Sequence, residues 1–240
     1  MSNPEGSSSE LINKPIDYVT SAIKGTLGAV PFAGSLLAEL AGTVIPNQRL
    51  DRIAKFVVIL ESKLSNLEQG FICSQLTNDF FSDLLEEGAR QVARSLSDER
   101  REYIASLISN SLSQQDIKYI ESKHLLRILG ELNDIEVVWL RFYLEPTLGG
   151  DEEFRDKHEN ILTPIMATLT DPLSVVDKEA LQDSYKEHLS QLGLLQPRYE
   201  TDSKTHLPEF DRFTGRLKIR GYDITALGRL LLKQVGLSNQ

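Results

Sequence analysis

Cysteine and positive charge are both scarce in this sequence. Cys73 is the single cysteine among 240 residues, so an internal disulfide and a cysteine-rich zinc site are excluded. The 26 Lys and Arg residues face 35 Asp and Glu residues, which gives a net charge of -9. This balance excludes a general electrostatic attraction to nucleic acid or anionic lipid.

The sequence also lacks the motifs of the common enzyme classes. There is no nucleophile elbow, phosphate-binding loop or dinucleotide-binding glycine pattern. No two of the four histidines have ligand spacing on one helix face; they are His124, His158, His188 and His206. The acidic run at 151–159 indicates a solvated surface rather than a metal site, and Cys73 is interpreted as a small buried residue. We therefore predict no enzymatic activity, no metal and no cofactor.

Apolar residues recur at helical spacing over most of the chain, and hydrophobic residues make up 40% of it. We predict helices at about 47–67, 77–95, 98–112, 115–129 and 154–169, and one that opens at Asn133. In this last helix Asn133 and Glu136 form a capping arrangement. The first of these helices has a heptad seam of Leu50, Ile53, Val57, Leu60, Leu64 and Leu67.

These elements predict a mainly α fold, a multi-helix bundle followed by a small winged-helix-like module with a short β-hairpin. We expect a disordered tail at 1–14 and the bundle at 15–146, with a Gly/Ala-rich apolar hairpin at 25–46. An acidic linker is expected at 147–160, where glycines and carboxylates cluster, and the module at 161–240.

The C-terminal module has a characteristic order of elements. Ser174 is expected to cap a helix that ends in Leu192-Gly193-Leu194-Leu195, and an alternating strand at 216–222 precedes a helix opened by Thr225. The buried stripe of the first helix should be Val176, Leu181, Tyr185, Leu189 and Leu192.

This order resembles a winged helix. The resemblance makes the helix from Ser174 the recognition helix and 204–215 the wing, with Arg212, Arg216, Lys218 and Arg220 as candidate wing contacts. DNA binding is the usual function of that family. However, the recognition helix carries Asp177, Glu179, Asp183 and Glu187 against Lys178 and Lys186, which would repel phosphates. A protein-contacting module is therefore favoured over a DNA reader, and both remain open.

Two motifs stand out in the order of elements: the leucine-rich helix, turn and acid-capped helix at 125–136, and Ile224-Thr225-Ala226-Leu227-Gly228-Arg229. With these motifs, the order of elements over about 80–236 resembles the abortive-infection alpha family of bacteria. The resemblance implies a helical protein with a role in phage defence or stress. It assigns no functional residue.

The segment Leu27–Ile45 is a second candidate site, 19 residues long with Glu39 as its single charge. Its large apolar residues favour membrane insertion by roughly 2.5 to 5 kcal/mol, and Glu39 opposes it by about 2.5 to 3.5 kcal/mol. A buried hairpin, conditional membrane insertion and an interface with another protein are the three interpretations. The residues that would decide between them are Leu27, Phe32, Leu36, Leu37, Glu39 and Leu40.

We therefore predict a non-catalytic interaction or effector protein that acts in bacterial phage defence through contacts with a partner protein. The alternatives are a DNA-binding transcriptional regulator and a membrane-perturbing effector that uses 27–45. Self-association into a homo-oligomer stays open. Because no signal peptide is visible at Met1–Glu5, a cytoplasmic location is expected.

Overall fold

The computed structural model describes residues 49–113, 119–147, 150–168, 170–205, 207–212 and 215–238. Within them the chain is mainly helical, with a two-stranded antiparallel sheet near the C-terminus. This confirms the predicted class of a helical protein with a small hairpin. No helix in these ranges combines the length and the apolar character needed to cross a bilayer. The predicted tail at 1–14 and the apolar hairpin at 25–46, with Leu27, Phe32, Leu36, Leu37, Glu39 and Leu40, lie outside the described residues.

The described residues form two compact units, which divide between Gly130 and Glu131. The first unit contains the helices α1 (Leu50–Leu64), α2 (Gln69–Leu76), α3 (Asp79–Arg94), α4 (Asp98–Ser113) and most of α5 (Tyr119–Glu131). Of these, α2 is a helix that the sequence pattern did not predict.

The core of the first unit lies where α1, α3 and α4 pack on one another. Ile53, Val57, Leu60 and Leu64 are buried, as the heptad spacing of α1 predicts. A side chain at Gly88 in α3 would bring its Cβ within 2.6 Å of the Ile108 Cδ1 atom in α4. Glycine at this position therefore permits the close approach of the two helices.

The second unit consists of short helices around a hairpin. Its elements are α6 (Asp134–Phe142), α7 (Glu152–Lys157), α8 (Glu159–Leu162), α9 (Leu173–Gln191), β1 (Leu195–Tyr199), β2 (Ile219–Ile224) and α10 (Ala226–Gln234). The helix α6 packs against α8, α9 and α10. The predicted capping box at its start is confirmed, because Asn133 Oδ1 accepts from the Glu136 amide and the Glu136 carboxylate accepts from the Asn133 amide.

The unit boundary lies before the predicted linker at 147–160, because α6 buries its apolar side chains against the C-terminal elements. The described part of the linker is anchored within the second unit. Arg155 donates to the carbonyl oxygens of Glu145 and Thr147, and Asp151 forms an ion pair with Arg141. Asp151 is therefore held by a partner, whereas Glu152, Glu153, Asp156 and Glu159 are exposed, as a solvated surface requires.

The helix predicted at 154–169 is wrong in its C-terminal half. The segment instead forms α7 and α8, and α8 ends at Leu162 with Thr163 in an extended conformation. Pro164 explains the end, because a proline disfavours the helical conformation of the residue before it and cannot donate an amide hydrogen bond.

The prediction of α9 needs two corrections. The helix begins at Leu173, after Pro172, and no side chain caps it, so Ser174 is not its N-cap. Leu189 is buried as predicted, but Val176 and Leu181 are 40% and 54% exposed. The buried side of α9 is centred on Gln182 and Leu189, which lie two helical turns apart on one face.

Candidate functional site

The second unit contains a groove of about 700 Å³ between α9 and the β-hairpin. The C-terminal half of α9 lines one side of the groove, and β2 supplies most of the lining residues of the hairpin. The lining residues are Tyr143, Asp183, Lys186, Glu187, Ser190, Gln191, Pro197, Arg216, Ile219, Arg220, Gly221 and Tyr222. The groove therefore combines both signs of charge with two phenol rings.

The antiparallel pairing of β1 and β2 sets the shape of the hairpin wall. Leu195 pairs with Ile224 and Arg198 with Gly221, and the register then shifts so that Tyr199 pairs with Ile219. Arg220 is thereby the extra residue of a β-bulge, a feature that bends a strand and re-aims the side chains beside it. The sequence alternation predicted the strand but gave no sign of the bulge.

Two tyrosines form the aromatic part of the groove. The rings of Tyr143 and Tyr222 meet at 6.0 Å between centroids with an interplanar angle of 65°, an edge-to-face arrangement that is favourable for aromatic pairs. Burial raises the pKa of both hydroxyl groups, and the Asp183 carboxylate raises both pKa values further. At neutral pH both phenols are therefore uncharged hydrogen-bonding groups.

The acidic side of the groove lies on α9. Asp183 and Glu187 are four residues apart, so both lie on one face of the helix. Between them in sequence, Lys186 extends its ammonium group to 3.1 Å from Asp183 and lies 5.0 Å from the centroid of the Trp139 ring. Glu187 is exposed and takes part in none of the ion pairs formed among the described residues.

The four predicted wing contacts lie in three different environments. Arg216 and Arg220 are exposed and line the groove, whereas Arg212 is exposed outside its lining. Lys218 lies 2.9 Å from Glu209 and 3.9 Å from Glu200. Its hydrogen bond to Glu209 and the charge of that carboxylate raise the pKa of Lys218. Isolated bridges Thr201–Pro208 and Phe210–Leu217 continue the pairing into the predicted wing.

Polar contacts beneath the groove hold α9 in place. His188 Nδ1 lies 2.7 Å from Glu136 Oε1, so the carboxylate that caps α6 also contacts α9. Gln182 is buried and donates to the carbonyl oxygens of Ile161 and Thr163, and its own oxygen accepts from the Ile165 amide. Buried polar groups with partners on other elements fix those elements relative to one another within the unit.

The described residues bring together no cluster of metal-ligating side chains. No group of three or more His, Cys, Asp or Glu side chains in these ranges is placed to hold a metal ion. Cys73 is exposed, so its predicted burial is wrong, because α2 presents only Ile72 to the core. The ring of His158 packs against Phe154, with 4.7 Å between centroids.

The groove was not predicted from the sequence. Asp183 and Glu187 stand out in the sequence only as charges unfavourable to DNA binding, and no pattern singles out Tyr143 or Tyr222. Their assembly depends on tertiary packing, for which a single sequence has no local signal.

Comparisons of the chain with protein-family models, with curated proteins and with solved structures gave no match.

Proposed function

We propose that the chain is a non-catalytic, cytoplasmic interaction protein whose second unit binds a partner protein in the groove between α9 and the hairpin. The observation that carries the proposal is the pairing of an acidic side, Asp183 and Glu187, with a basic side, Arg216 and Arg220, around two neutral tyrosines. Protein surfaces offer both signs of charge together with apolar groups, and tyrosine and arginine are enriched where proteins bind each other.

The order of elements supports a winged-helix-like module. The helix α9 leads through Gly193, which has a positive φ of 72°, into β1, and β2 leads into α10, whose first turn is capped by Thr225. On this interpretation α9 is the recognition helix and the loop between β1 and β2 is the wing.

The charges favour a protein over DNA as the ligand of this module. Asp177, Asp183 and Glu187 are exposed on α9, and carboxylates there would repel the phosphates that a recognition helix must approach. Lys218, one of the two lysines of the hairpin and its loop, is already held by two carboxylates.

The resemblance to the abortive-infection alpha family supplies the cellular role that we propose, an effector in bacterial phage defence. The partner would then be a protein of the phage or of the host, and its binding would trigger the defence response.

Affinity purification from the native host tests the proposal with two charge-reversal variants. We expect Glu187→Lys to lose the partner that the wild-type chain retains, because the change removes one carboxylate from the groove and adds an ammonium group. Asp177→Lys is the matched control, since Asp177 is exposed on the same helix but outside the groove lining, and it should retain the partner. Equal recovery by all three proteins would contradict the proposal.

A DNA-binding regulator is the second candidate, and the exposure of Arg212, Arg216 and Arg220 favours it. Arginines on a wing can reach phosphates or the minor groove. In the same purification, this candidate predicts that DNA fragments with a common sequence are recovered at about 150 mM salt and that Arg212→Glu abolishes their recovery.

A further inference from the structure

The outer edge of β2 pairs with no second strand in the described part of the chain, although its Ile224 carbonyl oxygen accepts from the Arg229 guanidinium. Among these residues β2 pairs with β1 alone. The Thr225 amide donates to the Leu194 carbonyl oxygen at 3.0 Å, and hydrogen-bonded and non-hydrogen-bonded pairs alternate along an antiparallel ladder. The pair of Pro197 with Tyr222 is therefore non-hydrogen-bonded, which agrees with the missing N–H of proline. The amide and carbonyl groups of Tyr222 consequently point away from β1.

The groove meets β2 over most of the strand. Ile219, Arg220, Gly221 and Tyr222 line it in succession, whereas β1 contributes only Pro197. Gly221 has no side chain, so the groove reaches the backbone of β2 at this residue. An exposed strand edge of this kind is a template for pairing with a further strand.

The charges beside this edge determine which charged residues a ligand of the groove must have. Glu187 and Arg220 line the groove on opposite sides, and neither takes part in the ion pairs formed among the described residues. A ligand that fills the groove must bring a cation to the side of Asp183 and Glu187 and an anion to the side of Arg220, since charges left without partners in an interface oppose binding.

We infer that the groove binds an extended peptide segment of the partner protein, which pairs with β2 as a third strand. Its backbone exchanges hydrogen bonds with the outward amide and carbonyl groups of Tyr222. A lysine or arginine of the segment contacts Glu187 and Asp183, and an aspartate or glutamate contacts Arg220. Backbone pairing gives affinity in such complexes, and the side chains give specificity. This inference rests on the proposed function and adds the form and the charge pattern of the ligand.

A selection from phage-displayed random peptides, about twice as long as β2, tests the charge pattern with the full chain as bait. We expect the enriched peptides to contain both a basic and an acidic residue. Their dissociation constants should rise about tenfold or more for Glu187→Lys and for Arg220→Glu. The matched controls are Asp177→Lys, exposed on the same helix as Glu187, and Arg212→Glu, exposed in the loop between β1 and β2. Both positions lie outside the groove lining, so both variants should bind as the wild type does, and circular dichroism checks the fold of each variant.

Replacement of Tyr222 by its α-hydroxy analogue tests the strand pairing, because the resulting ester keeps the phenol ring but removes the outward N–H. Loss of one hydrogen bond should weaken the selected peptides about three- to tenfold. If the charge variants weaken binding and the ester does not, strand pairing is wrong while the proposed function stands. If no peptide is enriched, or if the control variants weaken binding as much as the groove variants, the inference is overturned. If no peptide is enriched and the Glu187→Lys variant recovers the partner as well as the wild type does, the inference and the proposed function are both overturned.

Discussion

At the scale of single residues, Tyr143 and Tyr222 are two phenols whose pKa values are raised above the ordinary value. Burial is the largest cause for both, and it raises the pKa of each phenol because the charged phenolate loses its hydration. The carboxylates on α9 act in the same direction. The two rings therefore remain hydrogen-bond donors over the whole physiological range, which suits them to contact the polar groups of a ligand.

These shifts predict how stability responds to alkaline pH. The phenols of the unfolded chain ionise near their ordinary pKa of 10.0, whereas the folded groups keep their protons to higher pH. Below that pKa both states are protonated and stability is unaffected, and above it the free energy of unfolding falls as pH rises. Urea unfolding on either side of pH 10 measures this fall. The double variant Tyr143→Phe and Tyr222→Phe should show a smaller fall, and an identical fall would contradict the assigned shifts.

At the scale of elements, α10 is held against the start of β1 at a point where a side chain does not fit. A Cβ atom at Gly228 would lie 2.4 Å from the Leu194 carbonyl oxygen and 2.8 Å from the Ile224 Cγ1 atom. The Leu194 carbonyl also accepts from the Thr225 amide, so it cannot move away without breaking that bond. Glycine at this position therefore allows α10 to pack directly against the hairpin.

Gly228→Ala should therefore destabilise the chain by about 1 to 3 kcal/mol, the usual cost of overpacking, although alanine is the better helix former. Thermal or urea unfolding measures the difference. The matched control is Gly70→Ala in α2, where nothing lies within 4 Å of the added atom, and this variant should be neutral or slightly more stable. A Gly228→Ala variant as stable as wild type would show that α10 is not packed in this way.

The elements also show which features a single sequence can predict. The capping box of Asn133 and Glu136 was predictable because its two hydrogen bonds depend on residues three apart. The hairpin was predictable from alternation in β2. The exposed positions of Val176 and Leu181 were not, since helical spacing shows that residues share a face but not what covers it. The groove depends on the packing of α9 against the hairpin, because its lining residues on α9 and on β2 are far apart in sequence.

At the scale of the whole molecule, the net charge of -9 contrasts with the mixed charge of the groove. A uniformly basic ligand would be attracted to the entire acidic surface, with little specificity. A ligand that carries both positive and negative charges is instead attracted by the acidic and basic sides of the groove. The second unit is thus the one in which charged and aromatic groups converge on this groove.

Site-specific photocrosslinking in the native host tests the central claim most directly, namely that the groove of the second unit binds a protein. A benzophenone amino acid replaces Ile219, which is 48% exposed and lines the groove, or Leu207, which is 65% exposed on the loop between β1 and β2 and outside the lining. A discrete protein adduct from position 219 that is absent from position 207, and that disappears with Glu187→Lys, is the predicted result. Adducts with nucleic acid, or protein adducts equally strong from both positions, would contradict it.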